Sequence, residues 1–147
     1  MKEHYKYLYP DDEILDYTGK LDNHNEYLKI INMLEKKTAY IEIVEEHEIV
    51  REFQKDIVLT KEVSSWWSEE TSNKYNLYRI KASKELFSYL RKYETFCRIG
   101  KTIWGSMTVI KTNFGANDIA FFDRENHILL KTVTHEGFIN INTRLFK

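Results

Sequence analysis

The fold is decided by residues 103–142, which read IWGSMTVIKTNFGANDIAFFDRENHILLKTVTHEGFININ. Apolar and β-branched residues occur there in short runs, and turn residues interrupt these runs at regular intervals. The pattern predicts four strands, at residues 103–112, 119–123, 127–134 and 138–142. Because connections this short can join only antiparallel neighbours, we expect the four strands to form a meander.

Two amphipathic helices are predicted upstream of this meander. The first begins at Asp22 or Asn23, either of which can cap free backbone amides, and it ends near Lys37. Its apolar stripe consists of Tyr27, Ile30, Ile31 and Leu34. The second begins after Ser83, and its apolar stripe consists of Leu86, Phe87, Leu90 and Tyr93.

The remaining segments complete a mixed fold. Residues 38–44 and 75–80 are rich in β-branched and aromatic residues and predict strands. Residues 45–67 fit either an amphipathic helix or two strands joined near Lys55 and Asp56, and we prefer the strands. Residues 64–73 have the composition of a polar loop. Helices and strands are segregated along the chain, so the sequence predicts a single α+β domain over residues 1–147.

Composition excludes several classes of protein. A chain of 147 residues with 42% hydrophobic and 31% charged residues can bury a core without help. Cys97 is the one cysteine, so neither an internal disulfide nor a thiolate zinc cluster can form. No stretch resembles a signal peptide or a membrane span, and no glycine-rich nucleotide fingerprint is present. We therefore expect a cytoplasmic protein with no membrane contact, no cofactor and no metal.

The net charge of −1 conceals two oppositely charged halves. Residues 1–70 contain nine Lys or Arg and 17 Asp or Glu, whereas residues 71–147 contain 13 and six. The simpler interpretation is that the halves attract each other within one fold. The alternative is a bipolar surface that steers a charged partner.

The most enzyme-like residues are His127, His135 and Glu136, with Asp118 and Asp123 in the same predicted meander. A neutral imidazole beside a carboxylate can act as a general base, and two histidines with a carboxylate can hold a metal. The sequence around His135 lacks the second histidine that would place two zinc ligands on one helical face. This cluster is the alternative catalytic site, and ordinary turn and surface positions are the simpler interpretation.

Nucleic-acid binding is the leading alternative function. Basic residues alternate with aromatic residues between Lys74 and Trp104, so cations could hold phosphates while rings stack on bases. The basic residues are Arg79, Lys81, Lys84, Arg91, Lys92, Arg98 and Lys101. The competing interpretation is that the aromatic residues of the second helix belong to the core.

Two consecutive tryptophans, Trp66 and Trp67, give the strongest indication of an interaction surface. Neighbouring residues on an extended loop point in different directions, and tryptophan is over-represented among residues that dominate binding energy. Acidic residues upstream would form a rim that attracts a basic partner; these are Glu42, Glu45, Glu46, Glu48 and Glu52. Packing of one indole into the core is the competing interpretation.

These features favour a protein-binding module over an enzyme. The wealth of Lys, Ile, Asn and Tyr is typical of AT-rich bacterial and phage genomes, which encode many small neutralising proteins. We therefore expect an immunity-like or antitoxin-like inhibitor whose Trp66, Trp67 and acidic rim mask a basic toxin, such as a nuclease. The sequence does not determine the partner's identity or the oligomeric state.

Overall fold

An antiparallel sheet of seven strands dominates the part of the chain that the structure describes. The structure is a computed structural model, and it describes residue 9, residues 11–63 and residues 74–147. The strands are β1 (Ile14–Asp16), β2 (Tyr40–Val44), β3 (Ile57–Val63), β4 (Tyr75–Lys81), β5 (Arg98–Lys101), β6 (Met107–Ile110), β7 (Ile119–Phe122), β8 (Ile128–Val133) and β9 (Phe138–Asn142). The large sheet has the order β1-β9-β8-β7-β2-β4-β3, and β5 pairs with β6 separately. With the helices described below, this confirms the α+β class.

The predicted meander is correct for three of its four strands. β7, β8 and β9 are consecutive antiparallel neighbours. The prediction that residues 103–112 form the first meander strand is wrong, because residues 107–110 pair with β5 instead. The hydroxyl of Thr112 donates to the carbonyl oxygen of Thr95 at 2.7 Å, which ties the end of this segment to the loop after the last helix. The β5–β6 hairpin is therefore a separate element.

The described residues form three α-helices, which are α1 (His24–Lys37), α2 (Glu48–Glu52) and α3 (Lys84–Leu90). The side chain of Asn23 caps α1 by accepting from the amide of Asn25, and the Ser83 hydroxyl caps α3 by accepting from the amide of Leu86 at 3.1 Å. Each side-chain oxygen satisfies an amide that has no partner within the helix. Both predicted amphipathic helices are confirmed, with the full predicted stripe of α1 and with Leu86, Phe87 and Leu90 of α3. Tyr93 is buried, but it lies beyond the end of α3 and not on the helix.

The sheet buries apolar side chains on both faces near its centre. Consecutive residues of a strand point to opposite faces. Phe121 belongs to the main core, together with the stripes of α1 and α3, whereas Phe122 belongs to a second cluster with Val44 and Leu77. The Tyr27 hydroxyl donates to the carbonyl oxygen of Leu90 at 2.6 Å, which joins α1 to the end of α3.

Residues 45–67 differ from the two strands that we preferred. The first part forms the short helix α2, because the His47 side chain caps it by accepting from the amide of Ile49, and because Ile49 and Val50 are both buried. A short 3-10 turn follows at Gln54–Asp56. The second part forms β3, an edge strand of the large sheet, as predicted. The expected polar loop at residues 64–73 lies outside the described residues.

Ion pairs connect the acidic first half of the chain with the basic second half. Glu42 pairs with Arg79 at 2.8 Å, Asp12 pairs with Arg144 at 2.8 Å, and Glu35 pairs with Arg91. Part of the charge asymmetry is therefore neutralised within the fold, in agreement with the simpler interpretation of the two halves.

Candidate docking surface

The predicted acidic rim is only partly at the surface. Glu42 points into the sheet with 2% of its surface exposed, and its carboxylate accepts from the guanidinium of Arg79. The inclusion of Glu42 in a partner-binding rim is therefore wrong, because strand β2 is buried on both of its faces. Trp66 and Trp67 lie outside the described residues.

The other acidic residues have different roles. Glu45 adopts a positive φ of 67°, and its carboxylate accepts from the amide of Asn76 at 3.0 Å, so it shapes the turn after β2. Glu46 and Glu48 are exposed; Glu46 pairs with Arg51 at 3.5 Å, and Glu48 accepts from the hydroxyl of Tyr93. An acidic surface remains at the start of α2, but it is smaller than predicted.

His127 belongs to a buried hydrogen-bond network. Its Nδ1 lies 2.8 Å from Oδ2 of Asp12, and the other oxygen of Asp12 accepts from Nε of Arg144 at 2.8 Å. The ring of Tyr9 stacks on the imidazole with centroids 3.6 Å apart. Burial alone would raise the pKa of Asp12, but hydrogen bonds from Arg144, His127 and Asn142 outweigh it and lower that pKa. The network joins the segment before β1 to the start of β8.

His135 and Glu136 lie at the other end of β8. Both are exposed, and their closest ring nitrogen and carboxylate oxygen are 4.0 Å apart. Strand β8 separates them from His127 by six residues, or roughly 20 Å. The interpretation of His127, His135 and Glu136 as one alternative catalytic site is therefore wrong. In the described ranges, no group of three His, Cys, Asp or Glu side chains has an arrangement that could hold a metal ion.

Two further titratable groups lie close to His135. Burial raises the pKa of Asp118 to about 6, although a hydrogen bond from the amide of Thr134 acts in the opposite direction. Burial also raises the pKa of the Cys97 thiol to about 11, so this group stays protonated and unreactive at neutral pH. Cys97 is a buried small hydrophobic residue, as predicted.

In the basic stretch between Lys74 and Trp104 the arginines are used by the fold, whereas the lysines are exposed. Arg79, Arg91 and Arg98 each pair with a carboxylate of this chain. Tyr93 is buried, and Tyr89 packs against the main core. Trp104 differs from these residues because 85% of its surface is exposed.

The tip of the β5–β6 hairpin presents three large apolar side chains to solvent. Ile103 is 90% exposed and Met107 is 63% exposed, on either side of Trp104. We call these three residues the apolar tip. Residues 98–117 contain no Asp or Glu, and Lys101 and Lys111 are exposed. Lys101 pairs with Met107 beside the apolar tip, whereas Lys111 follows the last residue of β6 at the opposite end of the hairpin. The positive charge of Lys101 therefore lies next to the apolar tip.

Hydrogen bonds within the turn hold the apolar tip in place. The amide of Thr102 donates to the carbonyl oxygen of Ser106 at 2.8 Å, and the amide of Gly105 donates to the carbonyl oxygen of Thr102 at 3.0 Å. The Thr102 hydroxyl accepts from the amides of Trp104 and Ser106. Gly105 has a φ of 85°, which favours glycine at this position.

The base of the hairpin packs against the main body through a glycine. A Cβ atom on Gly137 would lie 2.3 Å from Cδ1 of Ile99 and 3.1 Å from Cγ2 of Val109, so these side chains rest directly on its backbone. Asp22 accepts from the amide of Ile99 and, through its carbonyl oxygen, from Nε of Arg98. The hairpin is therefore anchored at its base while its tip is exposed.

The sequence pattern does not predict the apolar tip. It predicts a strand that includes Ile103, and it groups Trp104 with the aromatic residues that could stack on bases. The reason is that the apolar residues at 107–110 continue the strand pattern across the turn. The available signal was Gly105 next to an Ile-Trp pair in a segment without carboxylates.

Comparisons with protein-family models, with curated proteins and with solved structures found no match for this chain. Among the described helices, none is both long enough and apolar enough to cross a bilayer.

Proposed function

We propose that this protein is a non-catalytic protein-binding module that docks its partner through the apolar tip of the β5–β6 hairpin. The observation that carries the proposal is the exposure of Ile103, Trp104 and Met107 on an element that the fold holds firmly at its base. Exposed apolar surface of this kind is typical of interaction sites.

The energy available at this surface is large for so few residues. An aromatic side chain buries about 150–250 Å² on docking. At about 25 cal/mol per Å², burial of Trp104 contributes about 4 kcal/mol before the entropy cost of association. Preorganisation of the turn reduces that cost, because the backbone loses little freedom on binding.

A protruding hairpin with an aromatic tip suits the occlusion of a cleft, so an immunity-like or antitoxin-like inhibitor is the form of the proposal that we favour. Lys101 lies beside the tip, and its charge favours a partner whose apolar pocket has an acidic group at its rim. A basic toxin such as a nuclease would instead contact Glu46 and Glu48. That second contact remains a proposal, as does the participation of Trp66 and Trp67.

Affinity capture from native cells tests the proposal with three variants. The wild type should retain a protein in stoichiometric amount, and an Ile103→Ser, Trp104→Ala double variant should lose it. Val58 and Leu59 are exposed apolar residues on β3, so a Val58→Ser, Leu59→Ser variant is the matched control and should retain the partner. A Trp66→Ala, Trp67→Ala variant measures the contribution of the predicted tryptophan pair separately.

The possible outcomes distinguish docking through the tip from nonspecific adhesion and from nucleic-acid binding. Equal loss in the hairpin variant and in the β3 control would contradict docking through the tip, because it would indicate nonspecific adhesion. Recovery of nucleic acid without any protein would contradict the proposed function and favour nucleic-acid binding. An identified partner whose toxicity is suppressed by the wild type but not by the hairpin variant would establish inhibition.

A further inference from the structure

A cationic cleft lies where the end of α1 meets the β7–β8 turn and the C-terminal 3-10 turn at Thr143–Phe146. It consists of two hollows of about 380 Å³ each, and Arg124 lines both. The cations that line them are Lys36, Lys37, Lys81, Arg124, Arg144 and Lys147. We propose that this cleft binds a small anion that carries phosphate groups, of the size of a nucleotide.

The positive charge of the cleft is only partly compensated. Arg144 is paired with Asp12, and Lys37 donates to the carbonyl oxygens of Arg144 and Lys147. The other four cations, which are Lys36, Lys81, Arg124 and Lys147, have no carboxylate within ion-pair distance in the portion of the chain that is described. Cations placed together without counter-charges repel one another, and a bound anion relieves that repulsion.

Two carboxylates also line the first hollow, and they reduce its potential without cancelling it. One oxygen of Asp123 already accepts from the amide of His127 at 2.8 Å, and Glu125 is exposed. The carbonyl end of α1 adds roughly half a negative charge. Against these stand five cations besides Arg144, whose charge is paired with Asp12, so the cleft favours an anion of more than one charge.

A second observation comes from Thr38, which lines the second hollow. Its hydroxyl oxygen is buried and has no hydrogen-bond partner. A buried hydroxyl without a partner is costly, and a ligand oxygen could accept from it after rotation of the side chain. Tyr40 lines the same hollow, so an aromatic face lies beside the cations there.

Phosphate fits this arrangement better than a single carboxylate. The cations come from separate elements and surround the cleft from several directions, and phosphate offers acceptor oxygens in several directions. Arg124 can contact two of those oxygens at once through its planar guanidinium. The volume of the two hollows also exceeds what an inorganic ion alone would fill.

Calorimetric titration with pyrophosphate and with ATP, each without metal ions and at low ionic strength, tests the proposal on the full chain. We expect saturable binding that weakens as salt is added, because the contacts are electrostatic. A Lys36→Gln, Arg124→Gln variant should weaken binding by about tenfold or more. A Lys84→Gln, Lys92→Gln variant removes two exposed cations of α3 and the turn after it, and it should bind as the wild type does.

The two ligands distinguish which part of the molecule is recognised. Equal affinity for pyrophosphate and ATP would assign the cleft to phosphate groups alone. Tighter binding of ATP that a Tyr40→Ala variant abolishes would assign the second hollow to the nucleoside. The proposal would be overturned if neither ligand binds saturably. It would also be overturned if the Lys84→Gln, Lys92→Gln control weakens ligand binding as much as the Lys36→Gln, Arg124→Gln variant does. Thermal unfolding of each variant without ligand shows that the fold is intact.

Discussion

Glu42 and Arg79 form a buried ion pair that holds the fold together instead of presenting charge at the surface. They are direct partners in the β2–β4 register, and their side chains are 3% and 16% exposed. Arg79 also donates to Asn126 at 2.7 Å and lies over the ring of Tyr40 at 4.4 Å. One guanidinium therefore links two strands and a turn, and it is no longer accessible to a partner.

Replacement of Arg79 with Met should lower the free energy of unfolding by about 3 kcal/mol, because it removes the guanidinium from a buried carboxylate. The matched control is Arg51→Met, since Arg51 pairs with Glu46 at a site where both side chains are more than half exposed. That change should cost less than about 1 kcal/mol. Urea titration followed by circular dichroism measures both. A similar loss of unfolding free energy in the two variants would show that the buried ion pair stabilises the protein no more than the exposed one.

Asp118 should make the protein less stable as the pH rises. Its pKa is raised to about 6 in the folded state from an ordinary value of 3.8, so its contribution is fully present below pH 3.8 and is lost as the pH rises through 6. Asp118→Asn keeps an acceptor for the amide of Thr134 and should stabilise the protein by about 2 kcal/mol at pH 7.5. At pH 4 the two proteins should be nearly equal. A difference that does not change between pH 4 and pH 7.5 would contradict the assignment.

At the scale of elements, the hairpin depends on Gly137. A Cβ atom there would meet Ile99 and Val109, and the φ of 75° is unfavourable for alanine. Gly137→Ala should cost about 2 kcal/mol and accelerate amide hydrogen exchange across β5 and β6. Gly19 is the matched control, because its φ is 81° and a Cβ atom would meet nothing within 4 Å. Gly19→Ala should lower the free energy of unfolding through backbone strain alone, and it should not accelerate amide hydrogen exchange in the hairpin.

The elements that sequence patterns predicted are those whose local and tertiary signals agree. α1 and α3 have a capping residue, a stripe at helical spacing and a buried face in the same segment. α2 has only five residues, and the cap that begins it is His47, which is an unusual capping residue. Helical periodicity is not visible over so short a segment.

The candidate site was less predictable than the fold. Whether Trp104 is exposed depends on the pairing of β6 with β5, and the short sequence of β5 gives no strand signal that fixes this pairing. The burial of Glu42 depends in the same way on the position of β2 between β4 and β7. Exposure follows from strand order, and a single sequence does not determine strand order.

At the scale of the whole molecule, the two oppositely charged halves are interleaved. β2 comes from the first half and lies between β4 and β7 of the second half, and β1 pairs with β9. Neither half contains all the strands of the seven-stranded sheet. The acidic and basic halves of the sequence therefore do not form separate parts of the sheet.

Residues 1–70 and residues 71–147, produced as separate fragments, should each be unfolded. In the first fragment no two of its strands, β1, β2 and β3, are neighbours in the sheet. The second fragment keeps β7, β8 and β9 together, but it leaves β4 without a neighbour and lacks α1, which covers the main core. Mixing the two should restore the circular dichroism spectrum of the intact chain, and added salt should slow the association because opposite charges attract. A cooperative thermal transition in either fragment alone would contradict this prediction.

The exposed indole at position 104 is also a built-in optical reporter. The chain contains three tryptophans, so replacement of Trp66 and Trp67 with Phe leaves Trp104 at the hairpin tip as the one indole, which can be excited selectively over the tyrosines. In the free protein its emission should be that of a ring in water, and quenching by iodide should be efficient. Complex formation through the tip should shift the emission to shorter wavelength and protect it from the quencher, so association can be followed in real time without any attached dye.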